Sequence, residues 1–195
     1  MEYIKNKNNM EYDLFSSFFY DNQHLFKKHK NVKTGTAHAD NIAKLKEFYD
    51  IRFPYGHCFP ISQFMFYYLG GYGSDYELRC IHKIPINIKG FKFFTSHWFV
   101  QNKLTSEIID LSKEQFDKVI NIDNYYKFSR KANFGFPYFF RNGGKRYKNT
   151  VPSKQVINLY KEFREINIYL LKDNSKIDIK SETLEFYLKE YENGI

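Results

Sequence analysis

Apolar residues recur at helical spacing in several segments of the chain, and segments rich in strand formers lie between them. The clearest helical pattern follows Pro60, which suits the first turn of a helix because the N–H that it lacks has no intrahelical partner there. One stripe at i, i+3, i+4, i+7 and i+8 holds Ile61, Phe64, Met65, Tyr68 and Leu69. Gly70 and Gly71 end the pattern. It predicts a helix that opens at Cys58 and packs against a core.

Four more segments carry helical spacing on the two flanks of the chain. The predicted helices begin near Asp13, Asp40, Ser153 and Ser181, and the last one ends at Tyr191. Asp40 and Ser153 are residue types that cap helix N-termini, because their side-chain oxygens accept from first-turn N–H groups. Helices are therefore expected before and after the central segment.

Strand formers dominate three central segments, Tyr76 to Ile84, His97 to Gln101 and Glu107 to Leu111. Their short spacing predicts an antiparallel meander. A short helix is expected next, over Lys113 to Ile120, with Ser112 as its cap.

Near the C-terminus, Ile166 to Leu171 and Lys176 to Ile179 flank a turn-forming stretch, which predicts a hairpin or a strand pair. The elements together predict an α+β fold in which the cysteine-bearing helix packs on an antiparallel sheet. We expect one domain over residues 1–195, with a core at about 40–165 and the hairpin and helix of 166–195 as an appendage.

Composition narrows the class of protein. The chain has 195 residues and 43% hydrophobic content, enough for one substantial core. No stretch approaches the roughly 18 apolar residues of a membrane span, and the N-terminus has no signal-peptide pattern, so we predict a cytoplasmic protein without a membrane segment. Its two cysteines, Cys58 and Cys80, are expected to be reduced thiols. Oligomeric state leaves no signal in the sequence.

The net charge of +8 is a weak functional signal, because most of the basic residues are lysines in a chain rich in Asn, Ile, Tyr and Phe. One stretch stands out. Residues 124–161 contain no acid and interleave basic with aromatic side chains, a pattern typical of single-stranded nucleic-acid binding. A non-catalytic module for nucleic acid or another anionic partner is therefore an alternative function, with Arg141, Lys145 and Arg146 as weak candidate anion ligands. An ordinary loop and core segment would show the same composition.

Cys58 is the candidate nucleophile. A cysteine at a helix N-terminus lies at the positive end of the backbone dipole, which stabilises a thiolate, and the free N–H groups there can hold an oxyanion. Gly56 permits a tight approach of the backbone, and His57 adds a possible local cation. The alternative is a buried structural cysteine.

His97 and Asp110 follow Cys58 in the order of a thiol nucleophile, its base and the orienting carboxylate. His97 is expected at the start of a strand, where its ring can lean over the thiol while the Trp98 indole shields the pair from water. Asp110 lies in the apolar run 108–111, where a carboxylate needs a partner and imidazole is a suitable one. The alternatives are a core histidine and a turn-forming or capping aspartate.

Zinc is a competing use of these side chains. Possible ligands are Cys58, Cys80, His57, His82 and His97. The chain has no CxxC or HxxxH pair among them, and adjacent residues 57 and 58 do not easily face one ion, so the sequence favours a metal-free site.

Four motifs resemble those of little-characterised phage and bacterial proteins that include the YunG-like family. They are Tyr55-Gly56-His57-Cys58, Gly70-Gly71, Ser96-His97-Trp98-Phe99 and Ile109-Asp110-Leu111-Ser112-Lys113-Glu114-Gln115-Phe116. The resemblance covers roughly residues 55–160 and implies a small domain whose Cys, His and Asp correspond to Cys58, His97 and Asp110. If the chain is phage-encoded, the resemblance implies that the protein is located in the host cytoplasm. More distantly, the order is similar to the transglutaminase-like and papain-like superfamily. Unlike papain, the chain has no glutamine a few residues before Cys58.

These observations predict a thiol-dependent hydrolase or acyltransferase for a peptide or another amide-containing substrate. Cys58 would attack the carbonyl, His97 would carry the proton, and Asp110 would hold the imidazole. Gln115 is expected to help orient the site. This chemistry needs no metal or organic cofactor.

Overall fold

The computed structural model describes residues 14–26, 54, 56–88, 90–117, 119–131, 151–171 and 181–194. The helices are α1 over residues 14–21, α2 (Cys58–Tyr68), α3 (Lys154–Leu171) and α4 (Glu182–Glu192). The strands are β1 (Tyr76–Ile88), β2 (Phe91–Asn102), β3 (Ile108–Ile109) and β4 (Arg130–Lys131). They form one antiparallel sheet in the order β3-β2-β1-β4. The α+β class predicted from the sequence is confirmed, while the helix predicted from Asp40 lies outside the described residues.

A long hairpin of β1 and β2 dominates the sheet. β2 begins at Phe91, just after a turn in which Gly90 adopts φ +82°, so the prediction that a strand starts at His97 is wrong. The aromatic run before His97 extends the strand backwards, and His97 lies in its interior. The pairing register shifts between Ile81 and Ile84, where Lys83 adopts φ +55°. This bulge lies directly opposite the His97 region, and bulges increase the local twist of a strand.

Helix α2 packs on one face of this sheet and is buried on nearly all sides. The sequence predicts one apolar stripe, but polar residues of α2 are also buried because each has a partner. Ser62 Oγ donates to the Trp98 carbonyl at 2.8 Å, and Gln63 Oε1 accepts from Ser153 Oγ at 2.6 Å. A helix buried all round needs such partners for its polar groups. The sheet lies on one side of α2, and helices α1, α3 and α4 contribute to the same hydrophobic cluster.

The C-terminal helices complete that cluster. Ser153 Oγ accepts from the Val156 N–H, as predicted for a helix cap, and Ser181 Oγ accepts from the Leu184 N–H in the same way. The strand predicted over residues 166–171 is wrong, because α3 has neither Gly nor Pro to stop it and continues to Leu171. The remainder of the predicted hairpin lies outside the described residues. Ser181 Oγ also donates to the Tyr67 carbonyl, which fixes the start of α4 against α2.

A second, smaller cluster lies on the other face of the hairpin. Its buried members are Ile81, Ile84, Ile86, Phe99, Phe116 and Ile122. Two 3-10 helices, Lys113–Phe116 and Ile122–Phe128, contribute to it. The helix predicted over 113–120 is thus shorter and tighter, and Ser112 does not cap it with its side chain. None of the described helices is long and apolar enough to cross a membrane.

Candidate active site

The turn before α2 presents Cys58 as the first residue of the helix. Gly56 adopts φ +76°, a left-handed conformation that favours glycine, and the His57 N–H then donates to the Pro54 carbonyl at 2.9 Å. The His57 side chain does not cap the helix, and Pro60 has no N–H to be satisfied. The first-turn N–H groups of Cys58 and Phe59 therefore lie at the positive end of α2, beside the thiol.

His97 and Asp110 form a buried pair beside that turn. The antiparallel pairing of Val100 with Ile109 brings Asp110, which follows β3, alongside the middle of β2. His97 Nε2 lies 2.5 Å from Asp110 Oδ2, and the two side chains are 0% and 3% exposed. A pair so fully withdrawn from water is stable only when its remaining polar atoms also have partners.

Asp110 has those partners. Tyr126 Oη donates to its Oδ2 at 2.7 Å, and the backbone N–H and Oγ of Ser112 each donate to its Oδ1 at 3.1 Å. Burial raises the pKa of Asp110, but His97, Tyr126 and Ser112 outweigh burial, and the net pKa is lowered. Burial and the same carboxylate raise the pKa of Tyr126, so the phenol remains a donor. The carboxyl group is therefore held as a carboxylate. Its contact with the Ser112 N–H also forms a turn, the alternative role considered for Asp110.

The imidazole of His97 also interacts with the Cys58 thiol. Burial lowers the pKa of His97, but the charge of Asp110 and the hydrogen bonds to Asp110 and Cys58 outweigh it and raise the pKa to about 10. Nε2 is committed to Asp110, so Nδ1, which also faces Gln115, is the nitrogen left to interact with the thiol. The structure thus brings together Cys58, His97 and Asp110, the three side chains singled out from the sequence.

Aromatic rings, though not the predicted one, enclose the imidazole. Successive residues of a strand point to opposite faces, so Trp98 lies on the other face of β2 from His97. The predicted indole cover over the imidazole is therefore wrong: the indole packs on Phe59, with ring centroids 4.9 Å apart. The ring of Phe116 meets that of His97 edge-on at 4.8 Å, and Phe99 stacks at 6.4 Å. These two rings exclude water from the pair.

Gln115 connects the base to the nucleophile's turn. Its Nε2 lies 3.1 Å from His97 Nδ1 and donates to the Ser112 carbonyl at 2.9 Å. Its Oε1 accepts from the Gly56 N–H at 3.4 Å. Gln115 therefore lies between His97 and the turn before Cys58, and its predicted orienting role stays a prediction. Ser112 and Tyr126 were missed: the spacing Asp-x-Ser is typical of an Asx turn, whereas nothing in the sequence marks Tyr126.

The remaining candidates lie elsewhere. The His57 ring packs on Phe26, with centroids 5.1 Å apart. Arg141, Lys145 and Arg146, the candidate anion ligands, lie outside the described residues. At the start of that basic stretch, Lys127 Nζ lies 5.2 Å from the centroid of the exposed Phe128 ring.

The described residues contain no group of three or more His, Cys, Asp or Glu side chains arranged to hold a metal ion. Of the possible zinc ligands, Cys80 is fully buried in the interior of β1, and its thiol donates to the Ile81 carbonyl at 3.7 Å. Burial, with a smaller effect of Cys58, raises the pKa of Cys80. Cys80 therefore fits the structural role considered for a free cysteine.

Comparison with known proteins returns no match to a protein family, to a curated protein or to a solved structure. The resemblance to YunG-like and transglutaminase-like proteins stays a prediction.

Proposed function

We propose that this protein is a thiol-dependent hydrolase or acyltransferase that acts on amide or ester bonds through Cys58, His97 and Asp110. The observation that supports the proposal best is the buried imidazole, which pairs with a carboxylate through Nε2 and also interacts with the Cys58 thiol. A histidine needed only for packing would not require an ionised partner that itself accepts three further hydrogen bonds.

The first half of the reaction forms an acyl-enzyme. His97 enters the reaction as an imidazolium, because its pKa is raised to about 10, and the Cys58 sulfur bonds as a thiolate to the substrate's carbonyl carbon. The resulting oxyanion accepts from backbone N–H groups at the N-terminus of α2, beside Cys58. When the carbonyl re-forms, the bond to the leaving amine or alcohol breaks, and that group takes the proton from Nδ1.

The second half restores the resting site. Water, or an amine that accepts the acyl group, gives a proton to Nδ1 as its oxygen or nitrogen bonds to the thioester carbon. The carbon–sulfur bond then breaks, and the sulfur leaves as a thiolate beside the imidazolium. Asp110 holds the Nε2 proton and stabilises the positive ring throughout, because its donors keep it ionised. An amide or ester in a peptide is the substrate class that this chemistry fits.

An activated ester tests the proposal without knowledge of the natural substrate. With p-nitrophenyl acetate we expect a burst of about one nitrophenol per chain, with the acetyl group found on Cys58 by mass spectrometry. Cys58→Ser should abolish the burst. Asp110→Asn should lower the rate of the burst by roughly 10²-fold or more, because the imidazole loses its orienting charge. Cys80→Ser is the matched control and should keep the burst. Acetylation confined to lysines, or equal on both thiols, would refute the proposal.

A further inference from the structure

The geometry points to Gln115 as a positioning residue that presents an N–H to His97 Nδ1 and so opposes a proton on that nitrogen. The inference rests on the proposed function, because it concerns how firmly His97 holds the Nδ1 proton that the leaving group must receive. Gln115 would thereby counterbalance Asp110, which favours the protonated ring from the opposite side.

The orientation of the Gln115 amide follows from its two backbone partners. The Ser112 carbonyl can only accept, so the group 2.9 Å from it must be the NH₂. The Gly56 N–H can only donate, so the group 3.4 Å from it must be the carbonyl oxygen. A flipped amide would place two oxygens together and two donors together. The NH₂ group therefore faces His97 Nδ1, 3.1 Å away.

That orientation sets which form of the ring Gln115 favours. An amide N–H can donate to the lone pair of an unprotonated Nδ1, but it opposes an Nδ1 that carries a proton. The polar groups facing the ring are Asp110 after β3, Cys58 from α2 and Gln115 from the 3-10 helix, and Tyr126 acts through Asp110. Phe99 and Phe116 add no charge. Gln115 is thus a neutral partner that favours the unprotonated Nδ1, whereas the Asp110 carboxylate favours the protonated ring.

The consequence for the reaction is a ring that can still release its Nδ1 proton. A ring that held its Nδ1 proton too firmly would leave a thiolate but return the proton poorly to the leaving group. Both N–H groups of the Gln115 amide are engaged, so Gln115 is not an oxyanion donor in this arrangement. It also ties Gly56, two residues before the nucleophile, to the base.

The test is the NMR titration of the His97 ring in wild type, Gln115→Met and Gln101→Met. Gln101, on β2, donates to the Ser106 carbonyl and is the matched control. Loss of the N–H at Nδ1 should favour the protonated ring and move the midpoint of the His97 titration in Gln115→Met to higher pH by about half to one unit, the size of one hydrogen bond. The control should superimpose on wild type.

A purely structural role predicts no displacement of the His97 midpoint in Gln115→Met, and that result would overturn the inference. If Gln115→Met does not fold, Gln115→Ala removes the same donor and should move the midpoint in the same direction; an unchanged or lower midpoint overturns the inference as well. The proposed function fails separately, if wild-type Cys58 reacts with iodoacetamide no faster than Cys80. A reactive Cys58 with an unmoved His97 midpoint in Gln115→Met removes only the role of Gln115.

Discussion

The two cysteines belong to one hydrophobic cluster and are both buried, yet their surroundings differ in kind. Cys80 lies inside a strand, where the backbone is paired and the neighbours are apolar, and its pKa is raised by burial. Cys58 lies where a helix begins, at the positive end of the α2 dipole and beside a histidine that is paired with a carboxylate. Two buried thiols of one cluster thus have different polar surroundings. The end of an element supplies polar partners that its interior does not.

The largest expected effect comes from His97→Ala, which breaks the buried pair on the Cys58 side. Asp110 would be left as an uncompensated carboxylate, and the variant should lose about 3–5 kcal/mol of unfolding free energy in urea. His82→Ala, on the neighbouring strand, is the control and should cost clearly less. Equal losses would mean that the His97–Asp110 pair contributes nothing special.

A smaller loss is expected from Tyr126→Phe, which removes a donor to the same carboxylate. A hydrogen bond to a charged group contributes about 1.5–3 kcal/mol, and the urea midpoint should fall accordingly. Tyr125→Phe changes the adjacent phenol and should remain within about 0.5 kcal/mol of wild type. Matching midpoints for the two variants would count against the role assigned to Tyr126.

The pH dependence of stability should distinguish the same pair. The pKa of His97 is raised from 6.5 to about 10, so its contribution is complete below pH 6.5 and is lost as the pH rises towards 10. The pKa of Asp110 is lowered from 3.8, so its contribution is present above that pH and is lost on acidification. From about pH 6.5 to 8.5, before Cys80 and the tyrosines titrate, wild type should lose about 2 kcal/mol. The profile of His97→Ala should be nearly flat there, and parallel profiles would contradict this assignment.

Ser112→Ala gives the smallest expected effect. It removes one of the two Ser112 donors to Asp110 but leaves the backbone N–H, so the cost should be about 1 kcal/mol in the urea midpoint. Ser106→Ala, in an exposed turn, should be neutral. A Ser112 variant as stable as wild type would show that the backbone donor suffices.

The sequence predicts the parts of this comparison that depend on local pattern. The start of α2, the Ser153 cap and the meander follow from Pro60, cap chemistry and strand propensity. The order Cys58, His97, Asp110 predicts three side chains that the structure brings together. Local pattern does not predict the features that depend on contacts between residues far apart in the sequence. The strand predicted at 166–171 is helical, and Trp98 points away from His97 because a strand alternates its faces. Tyr126 reaches Asp110 from a separate 3-10 helix, a contact that depends on how the chain packs.

Competitive alkylation of Cys58 and Cys80 tests the central claim most directly. With limiting iodoacetamide at about pH 7, peptide mass spectrometry should find Cys58 modified at least roughly 10²-fold faster than Cys80 in the folded wild type, because thiolate character governs the rate. In the absence of urea, under conditions in which the variant is folded, His97→Ala should lower the alkylation rate of Cys58 towards that of Cys80. Equal rates for the two thiols in wild type, or a Cys58 rate indifferent to His97, would contradict the account.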